Sequence, residues 1–184
     1  MLWDFDASTV LLAFLVLIVL LVRLKSKHNR SYLYLFLYAV FYIYIVNVLR
    51  YTLFPIPLFV GEQNVFRFSY DINPIGFIRW DEAQIYNNIL LSVPFGFGLP
   101  FLRKVSFKRM ILAGVRFGLA IEGAQLVLSL LIRAGYRTVD VNDVLLNFTG
   151  VMVGYGCYRL FAAIVRGISP DKKRGLAALL DTAV

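Results

Sequence analysis

The sequence predicts an all-α integral membrane helical bundle of about five transmembrane helices, with the amino end outside and the carboxyl end cytoplasmic. Three observations carry that expectation. The 184-residue chain is 60% hydrophobic and only 16% charged, with a mean hydropathy of +0.73, which is outside the range of soluble domains. Five apolar stretches stand out, in a chain whose length leaves room for roughly five or six spans of about 20 residues. The basic residues gather in two of the short connections and in the tail. A chain of this length, with these spans, leaves no room for a separate soluble domain, so residues 1–184 are read as a single membrane domain.

The first stretch covers about residues 8 to 22. Its leading flank, MLWDFD, is acidic, and RLKSKHNR follows the apolar run where a secretory signal would carry small residues and a cleavage site. It therefore reads as a retained span. The others lie at about 32 to 54, 85 to 102, 110 to 132 and 143 to 165. Arg23, Lys25, Lys27 and Arg30 follow the first span, and Arg103, Lys104, Lys108 and Arg109 separate the third from the fourth. Short basic connections stay in the cytoplasm. The tail 166–184, with Arg166, Lys172, Lys173 and Arg174, returns there and is suited to the anionic inner leaflet. The net charge of +8 is thus explained by topology, and nucleic acid is not an expected partner. The connection from about 55 to 84, with Pro55, Pro57, Gly61, Pro74 and Gly76 among aromatic residues, is expected to fold back onto the outer surface or to re-enter slightly.

One cysteine, Cys157, and one histidine, His28 in a basic loop, remove disulfide frameworks, CxxC chemistry, His-assisted nucleophiles and multi-His metal sites within one chain. No cofactor and no metal site is expected.

Polar residues within the spans form stripes. Asn88 and Ser92, Glu122, Gln125 and Ser129, and Asp140, Asp143, Asn147, Gly150 and Gly154 follow the three-four-seven spacing that puts side chains on one helix face. With the topology above, the third, fourth and fifth spans aim these groups at one depth, in the outer half. Ionisable groups in spans are costly and usually face a bundle interior or a wet cavity. Arg137, and Arg50 near the end of the second span, could pair with a carboxylate or clamp an anionic ligand. The candidate ligand-binding set is Asn88, Glu122, Gln125, Arg137, Asp140, Asp143 and Asn147. Asp140 is equally read as a helix cap. The tyrosines of the second span, Tyr42 and Tyr44 included, read as interface anchors and packing.

Three blocks at these residues resemble the VanZ-like family of small bacterial membrane proteins: NILLSVPFG (88 to 96), EGAQ (122 to 125) and RTVDVNDVLLNFTG (137 to 150). They fall within residues 73 to 157, about half the chain. INPIGF (72 to 77) keeps the Asn73 and Phe77 of another family element but moves its proline, and Ser92 stands where an aromatic residue is common. The resemblance implies a multi-pass protein of the bacterial cytoplasmic membrane, in a cell-envelope group some of whose members lower susceptibility to teicoplanin-type lipoglycopeptides.

Three functions are compatible with these residues. The first is an outer-leaflet pocket that binds or alters a lipid-linked wall precursor or the lipoglycopeptide itself. The second is a membrane-embedded enzyme in which Glu122 with Asp140 or Asp143 supplies acid and base, or holds a divalent cation, to act on a phosphate or ester. The third is a small proton-coupled lipid or drug transporter using Glu122. Membrane lipids are expected partners, and a homo-oligomer is compatible with a bundle this small.

Overall fold

The computed structural model describes residues 2–57, 72–73, 82–133 and 137–168. Most of the 55-to-84 connection and of the tail, for which surface folding and leaflet contact are expected, lies outside the described residues. Among the described residues, five helices are long and apolar enough to cross a membrane: α1 (Ala7–His28), α2 (Tyr32–Leu53), α3 (Glu82–Leu102), α4 (Phe107–Ile132) and α5 (Val141–Ile168). All but α2 extend past the apolar windows that mark them in the sequence, and polar caps satisfy terminal backbone groups beyond the greasy core. Asp6 accepts the Thr9 N–H, Ser31 the Tyr34 N–H and Ser106 the Arg109 N–H, while Asn29 and Arg133 close α1 and α4 in the left-handed conformation. The Ser8 hydroxyl, then the Thr9 N–H, hold the Asp6 carboxyl down at about 2, so this cap keeps its charge until the pH falls that far.

Among the described residues, four two-residue strands tie down one end of the bundle. β1 (Leu2–Trp3) pairs antiparallel with β2 (Ile56–Pro57), and β3 (Ile72–Asn73) pairs parallel with β4 (Val139–Asp140), placing Asn73 opposite Asp140. Trp3 and Phe5 both pack edge-on against Phe54.

The tightest seam joins α3 and α5. Small residues decide it: a Cβ on Gly150 would run into the Ile89 carbonyl, one on Gly154 into the Val93 carbonyl, and one on Gly96 into the Val151 carbonyl. The register advances together on both helices, so α3 and α5 run parallel with their backbones in contact. Small residues on a helix face let a neighbour approach closely, and for Gly150 and Gly154 that neighbour is α3. Helix α4 packs on α5 through Gly114 and Gly118. The core, at the other end of the bundle from the strands, centres on Phe101, Met110, Val151, Tyr155, Tyr158 and Ala162.

The tyrosines of α2 do more than pack. The Tyr42 hydroxyl donates to the Ala13 carbonyl on α1 at 2.9 Å and that of Tyr44 to the Leu91 carbonyl on α3 at 2.6 Å. The Phe95 N–H faces the same Tyr44 oxygen, so the hydroxyl sits between two groups that would otherwise bond each other next to Pro94. A proline inside a helix loosens this ladder, and Tyr44 fills the opening. Tyr44→Phe should lower stability by about 0.6–1 kcal/mol, the range for interhelical hydrogen bonds in membranes, read as a lower unfolding midpoint in detergent. An unchanged midpoint would mean that α3 recloses its own bond at no cost.

Candidate functional site: a polar cavity at one end of the bundle

At the strand-bearing end the helices leave a cavity of about 730 Å³, walled by Tyr51, Thr52, Gln84, Asn87, Asn88, Leu90, Leu91, Gln125, Arg137, Thr138 and Asp143. Four helices therefore contribute, where the polar stripes alone implicate three. The fourth is α2, whose last turn docks through Thr52: Gln125 Nε2 donates to the Thr52 carbonyl at 3.0 Å, and the Thr52 hydroxyl returns to the Val48 carbonyl at 2.8 Å.

Asp143 stands in the first turn of α5, where the positive end of the helix favours a carboxylate. Its Oδ1 accepts from Gln84 Nε2 at 2.8 Å, and the Asn88 side chain, one turn along α3, faces the same carboxylate. Asn88 Nδ2 also donates to the Gln84 carbonyl at 3.1 Å. Next in depth, the Ser92 hydroxyl lies between Oδ1 of Asn147 and the Asn88 carbonyl. Asn147 is 0% exposed, and its Nδ2 has no hydrogen-bond partner among the described residues.

Glu122, Asp140 and Asn147 do not form part of the cavity wall; they stand behind it. Glu122 is 5% exposed, and its Oε2 accepts the Asp140 N–H at 3.0 Å. Asp140, immediately before α5, turns Oδ1 to the N–H of Asn142 at 2.8 Å and to its Nδ2 at 2.9 Å. For that oxygen this is capping geometry. Arg137, which lines the cavity, is anchored on α2. Its Nη2 reaches the Phe54 carbonyl at 3.2 Å and the Tyr51 carbonyl at 3.4 Å, so the contacts described for it are to the electron-rich end of α2, where a cation is favoured, and not to a carboxylate. Arg50 lies 5.7 Å from the centre of the Phe5 ring. Among the described residues no group of three His, Cys, Asp or Glu side chains comes together as a metal site.

A family model, VanZ/LLP1, matches residues 14–162, which hold these groups. The chain belongs to the VanZ/LLP1 family. No curated protein and no solved structure matches it. The VanZ/LLP1 match begins within α1 and ends within α5, so it contains the whole cavity wall and reaches two helices that the three sequence blocks leave out.

Gln84 and Thr52 of the VanZ/LLP1 cavity are not among the candidates that the sequence singles out. Gln84 had a usable signal, since 84, 88 and 92 are spaced one turn apart; it fell just before the apolar window and so outside the predicted span. Thr52 had none. A threonine in a greasy helix that bonds back to its own turn is ordinary, and only the docking of α2 onto α4 gives its carbonyl a partner.

Proposed function

We propose that this VanZ/LLP1 protein works in the bacterial cytoplasmic membrane with the Asp143 end of the bundle facing outward, and that its cavity binds the polar part of a lipid-linked wall component or of a lipoglycopeptide. Lowered susceptibility to teicoplanin-type antibiotics would follow. The observation that carries the reading is the lining of the cavity. Gln84, Asn87, Asn88 and Gln125 offer amide donors and acceptors, and Asp143 and Arg137 add one charge of each sign. Such a mixture suits sugar hydroxyls and peptide groups, and about 730 Å³ lies within the range of small-molecule sites. The outward orientation is supported by Arg103, Lys104, Lys108 and Arg109 at the opposite end.

Glu122 and Asp143 are each occupied by a structural hydrogen bond, which favours binding over acid–base catalysis by this pair. Expression in a sensitive Gram-positive host tests the proposal. The wild type should protect against teicoplanin, and Asp143→Asn and Arg137→Ala, at equal membrane abundance, should not. A charge-assisted contact is worth about 1.5–3 kcal/mol, so each variant should bind about tenfold or more weakly. Abundant variants that protect as well as the wild type would rule out the cavity; a wild type without effect would rule out the antibiotic as its target.

A further inference from the structure

A second cavity, of about 700 Å³, lies at the opposite end of the bundle, between the α3–α4 connection and the last turns of α5. On α5 its wall follows helical spacing, with Tyr155, Tyr158, Arg159, Ala162 and Arg166 on one side of the helix. Alanine at 162 leaves room that a longer side chain would fill. Across from it, Lys104 and Arg109 flank Ser106, the cap of α4. Four basic side chains and the positive end of a 26-residue helix thus surround one space, an arrangement that favours anions. None of the described residues in that wall is acidic.

Topology alone accounts for basic residues at one end of a membrane bundle. It does not account for the cavity, nor for Tyr158. That residue is 3% exposed, lies in the wall, and has a hydroxyl with no hydrogen-bond partner among the described residues. A buried hydroxyl without a partner is costly and calls for a reason. It lies within electrostatic range of Arg159 and Arg166, and the Arg159 guanidinium is 6.0 Å from the centre of the Tyr155 ring.

We propose that this cavity binds a phosphate ester, with Tyr158 as a hydroxyl donor and Lys104, Arg109 and Arg159 as the cations. An anionic phospholipid headgroup and a soluble phosphate ester share that chemistry. Neither requires the Asp143 cavity, so the two proposals stand or fall separately.

The test uses the full chain in phosphatidylcholine nanodiscs, with binding followed by native mass spectrometry and by thermal midpoint. In one arm phosphatidylglycerol replaces part of the lipid; in the other, glycerol 3-phosphate is added to solution. Saturable binding in the lipid arm alone assigns a headgroup site, and binding in both arms assigns a general phosphate site. Arg159→Gln, Lys104→Gln and Tyr158→Phe should each weaken it, the two charge losses by about tenfold or more. Lys108→Gln, exposed and outside the wall, removes the same charge and should leave binding intact. Exposed Lys104 keeps the test valid if Tyr158→Phe misfolds. Absence of saturation in both arms, or equal weakening by Lys108→Gln, would overturn the proposal in favour of diffuse surface charge.

Discussion

Gly154→Leu should remove folded protein from the membrane almost completely, and Gly96→Ala should lower its stability by about 1–3 kcal/mol, the usual cost of overpacking. At both positions the atom in the way is a backbone carbonyl of the facing helix, Val93 for Gly154 and Val151 for Gly96. A side chain can change rotamer to make room, but a carbonyl in a helix moves only with the helix. Separating α3 from α5 would open the bundle's main seam, and the Asp143–Gln84 and Asn147–Ser92 contacts that cross it would be lost with it. Gly156 provides the internal control. A Cβ there meets nothing within 4 Å, so Gly156→Ala should gain about 0.5–1 kcal/mol from helix propensity. Membrane abundance and unfolding midpoints of the three variants check the ordering; a Gly154→Leu protein as stable as Gly156→Ala would show that the two backbones do not touch.

Glu122→Leu should cost about 1–3 kcal/mol, whereas Glu122→Gln should fold like the wild type. The difference lies in one acceptor oxygen. Glu122 receives the Asp140 N–H where α5 begins, and Leu would leave that donor with nothing to replace the bond. Gln keeps an oxygen for the same N–H and loses only the carboxylate. If antibiotic protection also survives in Glu122→Gln, Glu122 acts by holding the α4–α5 junction that presents Asp143. A Glu122→Gln protein that is abundant and stable but does not protect would instead assign the activity to the carboxylate itself.

Much of the site was legible before folding because periodicity puts polar residues on a face whatever that face later meets. Gln125, Asn88 and Asp143, each on a stripe, line the cavity, as does Arg137 from the connection before α5, and Ser129 and Asn147 are buried. Periodicity is silent about which of several polar groups on one face reaches a cavity. Glu122 and Asn147 share stripes with residues that reach it, yet each turns to a neighbour, one to a backbone N–H and the other to Ser92.

The sequence by itself determined that this is a membrane bundle of five helices, where the polar faces lie along them, and where the small residues lie that permit close approach. These are properties of single helices in lipid: apolar length sets the spans, and the three-four spacing sets the faces. Tertiary structure alone decided that α3 and α5 lie in backbone contact, that α2 closes the cavity through Thr52, and that Arg137 binds carbonyls at the end of α2. Each depends on which helix stands opposite, and a carbonyl that accepts a bond from another helix leaves no mark in its own residue type.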